Sequence, residues 1–366
     1  MLAHYMPWFE APPASAAWGW HWTMNRFEPE AIRDGRRPIA SRFYPAIEPY
    51  DSGDPHVVEH HLLLMRLAGI DGVIVDWYGR EDFRDHAILH RNTARLVAQA
   101  ARLGMKVAVC YEDRTLPALV EAGRIAAADR VSHVAGEIGW LARHWFPLDC
   151  HVRIDGRPLL LSFGRAGLDD GEWSRALADV RPAPAYMSQQ QRRTAAVGGF
   201  DWPLPKEGLA AVDRFEKESQ AWPQRIPVAF PRFADIYEQA GVHASWGSIP
   251  DDDGRTFRTT LARALTAAPA VVQIATWNDW GEGTMIEPSR EFGRRDLEAV
   301  QELRRRHVDA AFPFRPADLA LPGRLLALRR GNAGADLAPL LDDVARAIAA
   351  GDAARATALL EGCEAR

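Results

Sequence analysis

The chain has 366 residues, 47% of them hydrophobic and 25% charged, with a formal net charge of −5. That length holds one large α/β domain or two ordinary ones, and its hydrophobicity with modest charge excludes a disordered chain. Three scattered cysteines (Cys110, Cys150 and Cys363) exclude a disulfide scaffold, and without an apolar run of about 18 residues no transmembrane helix is expected.

Apolar runs rich in β-branched residues alternate with helical patterns, the signature of βα units around a parallel sheet. The first predicted strand is Leu2 to Trp8, and Met1-Leu2-Ala3-His4-Tyr5 lacks the basic region that opens a signal peptide. The expectation is a cytoplasmic protein. A long Pro- and Trp-containing loop leads to Asp54-Pro55, read as the N-cap and first position of a helix that stops at Gly69. Residues 72–76 form an almost wholly apolar second strand, followed by a helix over 87–103 and a third strand over 106–111. Residues 116–145 read as a long helical region, and 157–163 as a fourth strand. Weaker strands follow at 185–188, 196–200 and 226–230, then a helix over 257–265 and an eighth strand over 270–275.

Eight strands in about 275 residues fit a (β/α)8 TIM barrel, whose usual size is about 250 residues, and no Gly-x-Gly-x-x-Gly follows the first strand to favour a doubly wound sheet. The expected division is a barrel over 1–312 and a C-terminal helical appendage over 313–366, with amphipathic helices at 337–350 and 353–360 separated by Gly351-Asp352.

Lysine stands only at Lys106, Lys206 and Lys217, so 41 of the 44 basic residues are arginine. They are evenly spread and outweighed by 49 acidic residues, so no nucleic-acid stripe is present and no nucleic-acid or membrane partner is expected. The 13 tryptophans are unusual, because indole carries an N–H that needs a partner. Several fall where barrel strands end, the face on which such folds keep their chemistry.

Read in that way, strand one and its loop supply Tyr5, Trp8, His21 and Trp22, and strand two Asp76, Trp77 and Tyr78. Strand three supplies Glu112, strand six Asp201 and Trp202, strand seven Arg232, and strand eight Trp277, Asn278, Asp279, Trp280 and Glu282. Carboxylates beside aromatics suit a neutral polyol, since sugar C–H faces lie on rings while hydroxyls bond to Asp, Asn and His. Glycoside hydrolysis needs two carboxyl groups flanking one bond, and Asp279 and Glu282 are the candidate pair. Glu287-Pro288 reads equally as a loop anchor or as part of the chemistry, and His60-His61 as a solvated helix face. No His/Cys/carboxylate set has metal spacing, so neither metal nor cofactor is expected.

The run Trp277-Asn278-Asp279-Trp280-Gly281-Glu282-Gly283-Thr284-Met285-Ile286-Glu287-Pro288 resembles the strand-eight signature of the glycoside hydrolase family 71/99-like proteins. His4-Tyr5-Met6-Pro7-Trp8-Phe9, Gly19-Trp20-His21-Trp22, 50–55 and 68–72 are similar to the same group, and the resemblance spans about residues 1–295. It implies a metal-independent (β/α)8 barrel that is an endo-acting α-glycosidase, as in the family 99 endo-α-mannosidases and endo-α-mannanases. It further implies that Asp279 takes the proton of a sugar 2-hydroxyl, forming a 1,2-anhydro intermediate, and that Glu282 is the general acid. Tyr5 maps to the tyrosine of the first strand and Trp77 to the tryptophan of the −1 sugar site.

The chain departs from family 99 where that family has Glu-x-x-Glu: Asp279 is one methylene shorter, which changes its reach by over an ångström for bonds of about 1.5 Å. Asp-x-x-Glu is closer to family 71, the α-1,3-glucanases, which the resemblance implies are inverting. Cys110 stands two before Glu112 where family 99 carries a histidine before its strand-three glutamate. The expected function is an endo-acting α-glycoside hydrolase acting on an α-mannan or related oligo- or polysaccharide, with retention and inversion both open. A non-catalytic or polysaccharide-biosynthesis-associated carbohydrate-binding barrel is the alternative.

Overall fold

The computed structural model describes residues 1–331 and 337–365. Its parallel strands are β1 (Leu2–Tyr5), β2 (Gly72–Trp77), β3 (Lys106–Glu112), β4 (Arg157–Phe163), β5 (Ala185–Gln189), β6 (Gly198–Phe200), β7 and β8 (Gln273–Ile274). The predicted seventh strand, β7, forms two segments, Gln224–Ile226 and Val228–Ala229, on either side of Pro227. The first segment pairs with β6 and the second with β8, and β8 pairs with β1, so nine segments in eight runs encircle the core as a TIM barrel. Proline lacks a backbone donor but keeps its carbonyl, which accepts from Gln273 N at 3.1 Å.

The two-residue period of a strand decides what each side chain meets. Leu2, Ile74, Ala108, Cys110, Leu159 and Leu161 pack in the barrel interior. Their neighbours Ala3, Tyr5, Val73, Val75, Trp77, Val109 and Tyr111 pack outward in the layer shared with the helices. His4, Asp76 and Glu112 have the interior parity and are the last residues of that parity on their strands.

The surrounding helices are α1 (Pro55–Ala68), α2 (His86–Leu103), α3 (Leu116–Glu121), α4 (Arg130–His144), α5 (Asp170–Leu177), α6 (Leu209–Glu218), α7 (Arg255–Thr266) and α8 (Arg295–His307). The start and stop of α1 follow its predicted signals: the Asp54 side chain accepts from His56 N, Pro55 occupies the first turn, and Gly69 ends the helix at φ 92°. Its His60 and His61 are buried rather than solvated, because α1 is covered on both sides. The expected helical region over 116–145 divides into α3 and α4, with Gly123 at φ 66° between them.

Beyond the barrel lie α9 (Leu321–Arg330), α10 (Ala338–Ala349) and α11 (Ala353–Glu364). Leu325, Leu341, Val344, Ile348 and Leu360 belong to the same apolar cluster as Leu62, Leu63 and Leu67 of α1. Phe312 and Phe314, at the expected boundary between barrel and appendage, are part of that cluster as well. The predicted appendage therefore shares the core of the helix layer; its residues 332–336 and 366 lie outside the described residues. Among the described residues no helix is long and apolar enough to cross a membrane.

Candidate active site

A cleft of about 440 Å³ opens at the C-terminal ends of the strands. Of the residues singled out in the sequence, the structure brings Trp8, His21, Asp76, Tyr78, Glu112, Trp202, Asp279 and Glu282 together around it. They come from β1, β2, β3, β6 and β8 and the loops that follow, so the site is assembled from most of the barrel's rim.

Asp279 and Glu282 lie on the loop after β8, and three hydrogen bonds shape it. Asp279 N donates to Thr276 Oγ1 at 2.8 Å, Glu282 N donates to Asp279 Oδ1 at 3.0 Å, and Ala234 N donates to the Glu282 carbonyl at 2.8 Å. Gly283 stands at φ +68°, where a Cβ would meet the Ala234 carbonyl at 2.8 Å, so glycine permits the close approach of these two loops.

Burial raises the proton affinity of Asp76, Glu112, Asp279 and Glu282, because an ion there has lost its hydration, whereas the His21 contact brings Asp85 below its ordinary value. Asp279 is pushed up by burial and held back by the N–H groups of Glu282 and Gly281, which stabilise its charged form. Glu282 is pushed up first by burial and then by the charges of Asp279 and Asp235, with the Arg114 guanidinium opposing. Asp76 is raised by burial and by Asp279, and Glu112 by burial and by Asp76. The result is an asymmetric pair: two backbone N–H groups favour the charged form of Asp279, whereas burial and neighbouring charges favour the neutral form of Glu282.

Aromatic rings flank these acids. Trp8 stacks on His21 with ring centroids 4.1 Å apart and planes within 6°, and His21 Nε2 lies 3.2 Å from Asp85 Oδ2. Trp202 meets both His4 and Phe163 edge-on at 4.8 Å.

The remaining expected site residues are not brought to the cleft. Tyr5 and Trp77 have the outward strand parity. The Tyr5 hydroxyl lies 2.9 Å from His61 Nδ1 on α1, and Trp77 Nε1 donates to His90 on α2 beside Trp140 and Trp145. Trp22 donates to the Tyr50 carbonyl at 2.7 Å and is fully buried. Asn278 and Trp280 turn beneath the acid loop. Asn278 bonds both backbone groups of Met6, Tyr50 Oη donates to Glu287 Oε2 at 2.7 Å, and Trp280 Nε1 donates to the same oxygen at 3.2 Å. His61 Nε2 reaches Glu287 Oε1 at 3.1 Å, and Trp277 packs edge-on against the His61 ring. Glu287 is thus the hub of a buried network under the site, and these residues position the acid loop. Asp201 faces a separate polar pocket with Arg165 and Gln190, and burial pushes it up to about 7. Arg232 is buried against Asp251, Asp296 and the Met285 carbonyl, a structural anchor.

The sequence reading missed His4, Arg114, Phe163 and Tyr237, all of which line the cleft. His4 carried a findable signal, since it shares interior parity with Leu2. Tyr237 follows an irregular loop whose path no periodicity shows. Among the described residues no three His, Cys, Asp or Glu side chains converge as metal ligands.

Comparisons with known proteins agree with this architecture. The model of Glycosyl hydrolase family 99 matches residues 2–117. A glycoprotein endo-alpha-1,2-mannosidase-like protein of Danio rerio is 22% identical over 322 residues, covering 77% of this chain and 69% of the relative. The solved structure of the family 99 endo-alpha-mannosidase from Bacteroides thetaiotaomicron superimposes with a TM-score of 0.64 at 17% identity, covering 85% of this chain and 98% of that one. A glycoside hydrolase-like protein gives a TM-score of 0.56 at 15% identity, over 72% of this chain and 89% of the other. Sequence similarity in the first third and barrel similarity over most of the chain point the same way: the chain is similar to the family 99 glycoside hydrolases and shares their barrel fold.

Proposed function

We propose that the protein is an endo-acting α-glycoside hydrolase that cleaves an α-mannan or a related α-glycan, with Glu282 as general acid and Asp279 as general base. The observation that carries this reading is the asymmetry of the buried pair. Backbone N–H groups favour the charged form of Asp279, whereas burial and the neighbouring charge favour the neutral form of Glu282.

In the retaining route, Asp279 takes the proton of the sugar 2-hydroxyl, whose oxygen attacks C1 as the C1–O glycosidic bond breaks. Glu282 gives its proton to the departing oxygen. Water then opens the 1,2-anhydro ring at C1, passing its proton to Glu282 while Asp279 returns a proton to O2. In the inverting route Asp279 activates a water instead. Asp76 and Glu112, whose neutral forms burial favours, are suited in that form to donate hydrogen bonds to sugar oxygens. The Trp8–His21 stack offers a flat apolar surface to a sugar ring.

The test is a panel of α-mannans and α-glucans, with NMR of the anomer formed first. Release of internal oligosaccharides supports the reading, and the anomer assigns the route. Binding of an oligosaccharide without cleavage would overturn it in favour of a carbohydrate-binding barrel.

A further inference from the structure

The barrel order places β8 between β1 and β7, so the loops after β1 and β7 flank the loop that carries Asp279 and Glu282. The β1 side bears the Trp8–His21 stack. The β7 side bears a second row of rings that the acid chemistry does not use. Tyr237 lines the cleft, its ring centroid is 4.5 Å from that of His243, and His243 is 4.6 Å from Trp246. Trp246 is 46% exposed, an unusual position for the largest apolar side chain.

The row is held firmly. A two-stranded antiparallel hairpin, Phe233–Ala234 with Ser248–Ile249, closes the base of the excursion. Inside it, buried Asp235 Oδ2 accepts from Ser245 Oγ at 3.0 Å and from Trp246 N at 2.8 Å. Ala234 N and Ile236 N donate to the carbonyls of Glu282 and Gly281, fastening the excursion to the acid loop itself. These two hydrogen bonds, to the carbonyls of Gly281 and of Glu282 itself, set the row beside the general acid. A general acid protonates the leaving group, so the chain that departs lies on its side of the broken bond.

We propose that Tyr237, His243 and Trp246 form the platform for the leaving-group portion of the glycan, with Trp246 as its outer sugar-stacking residue. This rests on the hydrolase reading above. The site takes a neutral oligosaccharide extending beyond the cleaved bond, through C–H contacts on the exposed indole face.

The test compares Trp246→Ala and Trp246→Phe with the parent in the whole chain. Affinity for α-linked oligosaccharides of increasing length is measured by calorimetry in a Glu282→Gln background, and turnover is measured with glycosyl fluorides that have no leaving-group sugar. Trp246→Ala is expected to weaken binding of the long oligosaccharides by about three- to tenfold and to leave the fluoride rate unchanged, with Trp246→Phe retaining most of the affinity. Unchanged oligosaccharide affinity, or an equal loss on the fluorides, would overturn the platform. If affinity falls as expected while no substrate is cleaved by the parent, the platform stands as a binding surface and the hydrolase reading fails.

Discussion

Asp76 shows what single residues contribute to this site. Its carboxyl is raised above its ordinary value by burial and by the charge of Asp279. The unfolded chain therefore gives up this proton first as pH rises. The neutral group's contribution to stability is complete below the unfolded value, about 3.9, and is lost as pH climbs through the raised folded value. Asp76→Asn removes the buried charge at neutral and alkaline pH while keeping the shape. It is expected to raise the thermal midpoint at pH 8, with the difference shrinking toward pH 4, as followed by circular dichroism across that range. A shift equal at both pH values would contradict the assignment. Glu112 and Glu282 are raised for the same reason, so the cleft as a whole is an electrostatic burden at neutral pH, as is common for acid–base sites.

At the scale of elements, strand parity separates residues that touch substrate from residues that hold the frame. The apolar runs of β1 to β4 and the cap signals of α1 were legible because burial on both faces and a helix start each leave a local mark. What was not legible is the face on which a strand-end residue lies, since an all-apolar strand carries no alternation to read. Positions near strand ends point Tyr5 and Trp77 toward the site, yet they bond to His61 and His90 in the helix layer. His60 and His61 read as solvated because much of what covers α1 is remote in the chain: α8, α9 and α10 pack on it, and Glu287 reaches His61. Tyr5→Phe tests the distinction. Losing one buried hydroxyl contact is expected to lower stability by about 1 to 2 kcal/mol in denaturant unfolding while KM stays unchanged. A raised KM with unchanged stability would return Tyr5 to the cleft. The same scale explains Glu287, which is tied to Tyr50, His61 and Trp280 and fixes the loop carrying both acids.

Across the whole molecule, one apolar cluster runs from the barrel's outer strand faces through α1 to α9, α10 and α11. The cleft sits at the opposite layer of organisation, on loops anchored into that rigid body, which is how barrels combine stable cores with variable chemistry. The shift in hydrophobic pattern after residue 312 marked a change of architecture, from alternating βα units to helices alone, without marking a separate core. The long tryptophan list divides in the same way: Trp8, Trp20 and Trp202 line the cleft, Trp246 extends a row of rings from it, and Trp22, Trp77, Trp277 and Trp280 are buried supports.

The central claim is that Glu282 supplies the proton to the departing sugar, and leaving-group dependence tests it most directly. Glu282→Gln is assayed on a natural α-glycan and on an activated aryl glycoside whose phenolate departs unassisted. Turnover of the glycan is expected to fall by about 10²- to 10⁴-fold while the aryl glycoside is largely spared. Near-normal turnover of the glycan by Glu282→Gln, or an equal loss on both substrates, would contradict the claim.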